Sequence, residues 1–390
     1  MNRREVKRAP VLRFKGFTND WEQRKLGDET NRIKSYSISH GFEVAEDTGT
    51  KYIHYGDIHT SKVKNINNID VLPNIKDNNY KPLKYGDVIV ADASEDYKGI
   101  ADACIVNTIS DSYKIVAGLH TIAFRPKSKL CSKFLYFYLS TDIFKHFGYK
   151  TGTGLKVFGI SYKELAKFKL KEPSVTEQKK IVKLLFLIEK AINLQQRKLK
   201  LLKEIRKGIV ENIRDNNFEY KEQKNDFKDV KIKDMFKITR GKVLPKEKIS
   251  SNKISPNIYP VFSSQTLNNG LLGFYKDYLF QNAITWTTDG ANAGTVNFRN
   301  EKFYSTNVNG VLLQKKIKPD LLTADLLNLV AFKYVSKVGN PKLMNNTMAN
   351  IRIKIPSNTN ARIFYSKILN KYDTKIDFIN ADCKINLNTL

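Results

Sequence analysis

The strongest constraint on this chain is that its plan is written twice. Phe168-Lys169-Leu170-Lys171-Glu172-Pro173-Ser174 runs directly into a long heptad-like segment, and Ile351-Arg352-Ile353-Lys354-Ile355-Pro356-Ser357 runs directly into another. Solenoid repeats are about 20–50 residues long, far shorter than this period. The chain therefore reads as a tandem pair of domains, each a strand-rich region followed by one long helix. The openings of the halves recur too. Trp21-Glu22-Gln23-Arg24-Lys25-Leu26-Gly27-Asp28 has its counterpart in Phe227-Lys228-Asp229-Val230-Lys231-Ile232-Lys233-Asp234. Each places an aromatic residue five positions before an aliphatic one and ends in Asp, as an opening strand.

Between opening and helix, both halves carry β-type residues and turns. Gly86-Asp87 precedes Val88-Ile89-Val90, and Gln281-Asn282 precedes Ala283-Ile284-Thr285-Trp286. Each reads as a turn feeding a buried strand. Polar, glycine-containing loops follow at 92–99 and 287–294. Three- and four-residue spacing of apolar residues predicts short helices over 132–145 and 324–337.

The long helices carry the clearest periodicity. Pro173-Ser174-Val175-Thr176-Glu177 offers a Ser-x-x-Glu capping box. From there Ile181, Leu185, Ile188, Ile192, Leu199, Leu202, Ile209 and Ile213 recur in steps of three and four, with Gln195 interrupting them. The flanks are Lys, Arg and Glu, which makes a narrow a/d stripe. A helix of about 37 residues is about 55 Å long. The second helix, expected from Ser357, offers Phe364, Ile368, Tyr372, Ile376, Ile379, Cys383 and Leu390, with more Asn and a poorer cap. Two narrow seams in one chain are expected to bury each other rather than each pack on its own half. The predicted fold is α+β: two mixed, strand-rich domains in tandem, joined by two long helices forming an antiparallel coiled coil. The expected bounds are an N-terminal tail 1–19, a first domain 20–173, a first helix 174–214, a linker 215–226, a second domain 227–356 and a second helix 357–390.

Charge narrows the partner. The chain has 67 Lys+Arg against 39 Asp+Glu, a formal net charge of +28 and a pI near 9.7. That excess favours a polyanion, nucleic acid ahead of an anionic membrane surface. No run of 18 apolar residues is present, so no membrane span is expected. Cys104, Cys131 and Cys383 are widely separated and form no CxxC. With a charged N-terminus lacking an apolar stretch, this predicts a soluble protein of the reducing cytoplasm.

The sequence also lacks recognisable chemistry. There is no Gly-x-x-x-x-Gly-Lys-Ser/Thr phosphate loop, and Thr151-Gly152-Thr153-Gly154 lacks the Lys-Ser/Thr that would complete one. No Asn/Asp-Pro-Pro-aromatic tetrapeptide and no Gly-x-Gly-x-x-Gly after a strand occur. Glu177-Gln178-Lys179 resembles half of a nuclease motif, but falls in the first turn of a helix, where Glu caps. His40, His54, His59, His120 and His146 show no ligand spacing and read as core or surface residues. The chain is expected to hold no catalytic residue, metal or cofactor.

What remains is binding, and its candidates come in matched loops. Lys34, Ser35 and Tyr36 follow the first opening strand; Arg240 and Lys242 follow the second. Ser94, Tyr97 and Lys98 lie in a loop, 92–99, whose counterpart, 288–294, holds Thr288, Asp289 and Asn292. Lys150, Thr151, Thr153 and Lys156 lie in a loop, 149–156, whose counterpart, 339–346, holds Asn340, Lys342, Asn345 and Asn346, and Ser264 and Gln265 are extra in the second half. Such side chains hold phosphates and read base edges of duplex DNA.

These features make the chain resemble the specificity subunit of a type I restriction-modification enzyme. The resemblance runs over essentially the whole length. It is carried by the opening segment Trp21–Asp28, by Pro173-Ser174-Val175-Thr176-Glu177-Gln178-Lys179-Lys180-Ile181, by Gln196-Arg197-Lys198-Leu199-Lys200-Leu201-Leu202-Lys203, and by the duplication. It implies that each globular half is a target-recognition domain reading one part of a split, asymmetric DNA site. It implies that the helices, packed through Ile181, Leu185, Ile188, Ile192, Leu199, Leu202, Ile368, Tyr372, Ile376 and Ile379, set the unread gap. Two methyltransferase subunits, carrying S-adenosylmethionine for adenine N6 methylation, and restriction subunits using ATP and magnesium would be the partners. In departure from the pattern, Ser357-Asn358-Thr359-Asn360 lacks the Glu-Gln pair and the second helix is shorter. The alternative is a non-sequence-specific nucleic-acid-binding coiled-coil protein.

Overall fold

The computed structural model describes residues 10–60, 63–95, 99–154, 157–220, 223–224, 226–265 and 267–388; most of the expected basic tail lies outside them. The chain divides into two compact units, Met1–Lys190 and Ala191–Leu390.

Each unit opens as the sequence suggests. Strand Glu22–Lys25 pairs antiparallel with Lys169–Glu172, and strand Phe227–Lys231 pairs antiparallel with Arg352–Pro356. A single helical turn follows each, Leu26–Glu29 and Ile232–Met235, anchored by the fully buried Leu26 and Ile232. Along the returning strands, burial alternates with the two-residue period of a strand: Leu170, Ile353 and Ile355 point inward and their Lys neighbours outward.

The central sheets share one topology. In the first unit the strand order is Thr30–Ile33, Thr121–Pro126, Val88–Ala91, Ala103–Val106, Asn65–Ile66. In the second it is Phe236–Arg240, Asn309–Gln314, Phe280–Thr287, Val296–Ser305, Tyr259–Phe262, with Leu271–Tyr275 added at the edge. The first three pairings are antiparallel and the fourth is parallel in both. Val88–Ala91 is buried along its whole length. The first unit also holds a four-stranded sheet built around Thr50–Ile53.

The expected helix over 132–145 is two helices, Ser132–Leu139 and Asp142–Thr151. The hydroxyls of Ser140 and Thr141 donate to the carbonyls of Tyr136 and Tyr138, and such local bonds compete with helix continuation. The expected helix over 324–337 begins earlier, at Leu321, because Asp320 caps it by accepting from the Thr323 N–H at 2.7 Å. It ends at Ala331 and passes into a 3-10 turn, Phe332–Tyr334.

The first long helix spans Val175–Arg214, 40 residues. Its capping box is only half made. Ser174 Oγ accepts from the Glu177 N–H at 3.3 Å, but the Glu177 carboxylate is taken by Arg13, Nε and Nη2 each at 2.8 Å. The buried Gln178 amide donates to the carbonyls of Lys129 at 3.0 Å and Pro173 at 2.9 Å. It also accepts from the Cys131 N–H at 2.7 Å. This pins the start of the long helix to the start of Ser132–Leu139. The second long helix, Thr359–Asn388, reaches the same result with other residues. Asn358 Oδ1 caps the Asn360 N–H at 2.8 Å. Arg362 donates to the Pro356 carbonyl at 3.0 Å and to Asp320 at 3.3 Å. The missing Glu-Gln pair is thus replaced by an Arg–Asp joint between the same two helix starts.

The apolar stripe of the first helix is half-buried at Ile181, Leu185 and Ile188, and Ile181 packs on the first unit's core. In the second unit Ile192, Leu199, Leu202 and Ile209 are half-buried and Val210 and Ile213 buried. There the two long helices meet. Val210, Ile213, Tyr365 and Leu369 share one core, and Arg206 pairs with Asp373 and, at 2.8 Å, with Asp325 of helix Leu321–Ala331. On the second helix Ile376 and Ile379 are buried and Ile368 and Tyr372 half-buried. Phe364, expected in the stripe, is exposed; Tyr365 occupies the seam, one position on. The side chains of Cys383 and Leu390 lie outside the described residues. Within the expected linker, Glu219–Tyr220 pairs with Gln223–Lys224. The Tyr220 ring lies 5.4 Å from that of Phe364, which gives this exposed residue a place.

Candidate nucleic-acid interface

In each unit the turn-bearing ends of three neighbouring strands gather at one end of the sheet, and the same backbone bonds tie them. In the first unit the Asp92 N–H donates to the His120 carbonyl at 3.0 Å, the Ile160 N–H to the Asp92 carbonyl at 2.8 Å, and the Tyr36 N–H to the Ala117 carbonyl at 2.9 Å. In the second unit the equivalents are Thr288 to Val308 at 3.0 Å, Leu343 to Thr288 at 2.9 Å and Lys242 to Ser305 at 2.9 Å. The backbone frame is therefore common, while the side chains it carries differ.

At the second unit's tip, residues of two other loops approach Arg240. Its Nη2 lies 3.9 Å from Asp289 Oδ2 and 3.9 Å from Met344 Sδ. Its Nε and the neighbouring loop's Asn345 Oδ1 are both buried and have no hydrogen-bond partner among the described residues. Asp289 bridges Lys342, and Asn292 donates to the Ser264 carbonyl at 3.4 Å. Lys242, Asn340, Lys342 and Asn346 are exposed. Behind this tip, Arg299 is buried with its guanidinium 3.6 Å from the Phe262 ring centroid, donating to the Asn269 carbonyl. Burial lowers its pKa to about 10. It braces the turn through Asn268, Asn269 and Gly270, all at positive φ.

At the first unit's tip, Lys34, Lys150 and Thr153 are exposed, and Ser35 is half-buried where its backbone bridges Ala117. Tyr36 is committed inward: its ring lies 4.6 Å from Tyr80 and its hydroxyl accepts from the Lys81 N–H. Thr151 donates back to the Phe147 carbonyl at 2.7 Å.

Other sequence candidates are also used by the fold. Ser94 is buried in the pairing of Ala93–Ser94 with Phe158–Gly159. Thr288 is fully buried and donates to the Val308 carbonyl at 2.9 Å. Gln265 donates its amide to the Leu271 carbonyl. A loop residue looks polar and available in sequence, but a tight turn needs its own polar side chains to satisfy its backbone. Tyr97, Lys98 and Lys156 lie outside the described residues.

The sequence missed the histidines. Four of the five gather around Tyr55 near the first unit's tip. His54, His120 and His59 lie 4.5, 5.3 and 5.6 Å from the Tyr55 ring, and His40 lies 4.1 Å from His54. Each has a polar partner: His40 with Glu43 at 2.6 Å, His59 with Asp102 at 3.0 Å, His120 with Asp92 at 3.3 Å, and His54 Nδ1 with the Gly56 N–H at 3.2 Å. Burial, then His40, holds His54 below the ordinary imidazole range. Burial raises Asp92 above the usual carboxylate value, opposed by His120 and Arg32. Among the described residues no group of three or more His, Cys, Asp or Glu side chains is placed to hold a metal, and no helix is long and apolar enough to cross a membrane. Residues so far apart in sequence leave no spacing signal.

One frame carried twice, with different side chains at its two tips, defines a protein of two tandem recognition-type domains. The family model of the type I restriction modification DNA specificity domain matches residues 18–204 and again residues 224–388, and the chain belongs to that family, that of the type I specificity subunits. Relatives from Mycoplasma pneumoniae agree. The chain is 45% identical over 134 residues to a type I specificity subunit N-terminus, covering 33% of this chain and 70% of that protein. It is 40% identical over 134 residues to the specificity subunit of the type I restriction enzyme MpnII, covering 33% of this chain and 39% of that one. Among solved structures, the S subunit of a type I restriction-modification system from M. genitalium has a TM-score of 0.66 at 12% identity, covering 97% of this chain and 96% of that one. A chain from work on complex assembly and conformational transition of the type I R-M system has a TM-score of 0.51 at 14% identity, covering 97% and 95%.

Proposed function

We propose that this specificity subunit is the non-catalytic address reader of a type I restriction-modification complex. Each unit takes one half of a bipartite, asymmetric site in duplex DNA. The two long helices form an antiparallel coiled coil that sets the number of unread base pairs between the halves. Exposed Lys34, Lys150, Lys242 and Lys342 hold phosphates, and Arg240 with Asn345 and Asn292 reads bases in the second half-site. Two methyltransferase subunits, with S-adenosylmethionine, and restriction subunits, with ATP and magnesium, dock on this chain and supply the chemistry.

The observation that carries this reading is the shared frame with unlike tips. Two copies of one reader with identical tips would bind a symmetric site; changed tips on one scaffold suit an asymmetric one. A 40-residue helix is about 60 Å long, enough to cover more than one duplex turn of about 34–36 Å.

The test is a methylome. Residues 20–165 are exchanged for those of another family member, and the methylated motif is read in cells. One half-site is expected to change while the other and the gap persist; a change in both refutes domain independence. Four residues inserted between Gln195 and Gln196 are expected to lengthen only the gap. In a shift assay the assembled complex is expected to prefer its duplex over the matching single strand, which a generic nucleic-acid binder would not.

A further inference from the structure

We propose that His120, oriented by Asp92, accepts a hydrogen bond from the exocyclic amino group of an adenine or cytosine in the half-site taken by the first unit. The inference rests on the reading above and names one chemical contact within it.

His120 sits on the turn that feeds strand Thr121–Pro126, at φ +54. The residue's backbone is held by the frame common to both units, so its side chain is free to vary in role. That side chain is 47% exposed, and Asp92 beneath it is 27% exposed. Tyr55 meets the imidazole edge-on at 5.3 Å and limits its rotation.

The chemistry follows from the pairing. A carboxylate only accepts, so the ring nitrogen facing Asp92, Nδ1 at 3.3 Å, carries the proton. In the neutral ring, Nε2 is then an acceptor. Among the described residues Nε2 has no hydrogen-bond partner. In the major groove an acceptor on the protein matches adenine N6 or cytosine N4, which are donors, and is mismatched to guanine O6 and thymine O4. The second unit has Thr288 and Val308 at these two places, with the Thr288 hydroxyl already donating to the Val308 carbonyl. It cannot make this contact, so the device distinguishes one half-site from the other.

The test uses the complex assembled with its methyltransferase subunits. Its duplex is taken from the methylated motif of the source cells. Each adenine of the first half-site is replaced in turn by nebularine, which lacks the amino group, and each cytosine by zebularine, which lacks its own. At one position the wild-type complex is expected to lose on the order of tenfold in affinity. His120→Ala is expected to bind that analogue and the natural duplex equally, with its response to second half-site changes intact. His120→Gln, which keeps an acceptor, is expected to retain part of the discrimination. Asp92→Asn, a change to a positioning residue, is expected to shrink the discrimination ratio without a matching loss of thermal stability. If wild type is specific for its motif but His120→Ala and His120→Gln keep its full analogue pattern, or if no amino-group deletion weakens wild type, this inference alone is overturned. If wild type prefers neither its motif nor a scrambled duplex, the address-reader reading falls with it.

Discussion

Replacing Arg206 by methionine tests whether one side chain clasps the two long helices in the second unit. Arg206 is 18% exposed and makes ion pairs with Asp373, 34% exposed, and Asp325, 18% exposed. Methionine keeps much of the stem's packing but leaves two carboxylates without their cation. Removing one partner of a buried pair costs roughly 3–5 kcal/mol. The lower end applies here, because Asp373 reaches water and Asp325 can take up a proton. The two partners respond differently to burial. Pairing outweighs desolvation for Arg206, whose pKa is raised, whereas burial outweighs pairing for Asp325, whose pKa is pushed up to about 6. The difference lies in the sharing: Arg206 has two carboxylates, and Asp325 receives only one of its bonds. A loss of about 3 kcal/mol in a domain of roughly 150–250 residues lowers its midpoint by about 6–12 °C. Calorimetry of the full chain is expected to show that shift in the second unit's transition with the first unit's unmoved. A shift below about 1 °C would falsify the clasp.

Further outcomes follow from the same contacts. Because folding raises Asp325 from 3.8 to about 6, its contribution favours the fold fully below pH ~4 and is lost as pH rises through about 6. Asp325→Asn is therefore expected to gain stability relative to wild type between pH 4 and pH 7.5, by up to roughly 3 kcal/mol, read as paired midpoints across that range. Gln178→Ala leaves the Cys131 N–H and the carbonyls of Lys129 and Pro173 without their partner; a loss of about 2–3 kcal/mol is expected in the first unit's transition alone. At Gly310 an added Cβ would stand 2.1 Å from the buried Trp286 ring, so Gly310→Ala is expected to abolish the second unit's cooperative transition, where a surface alanine has no effect.

Sequence alone determined much of this protein. The doubled Pro-Ser junctions located two long helices, because a chain break before a heptad pattern is local and written in spacing. The opening strands, the buried Val88–Ala91 and Ala283–Trp286, and the stripe from Ile181 to Ile213 were legible from local pattern, although Gln281-Asn282, read as a turn, lies inside the strand Phe280–Thr287. The net charge of +28 raised the expectation of a polyanionic partner without needing any fold. Tertiary structure decided the rest. It showed that both sheets share one strand order, which depends on pairings between residues far apart in the chain. It turned Ser94, Gln265 and Thr288 inward, since a tight turn must satisfy its own backbone groups. It moved the seam from Phe364 to Tyr365 and gave it a clasp, Arg206, whose charge made it look like a solvated flank. It also collected His40, His54, His59 and His120 around Tyr55. Periodicity reports which face of an element is dry, but only the folded chain decides which polar groups are left facing outward to meet a ligand.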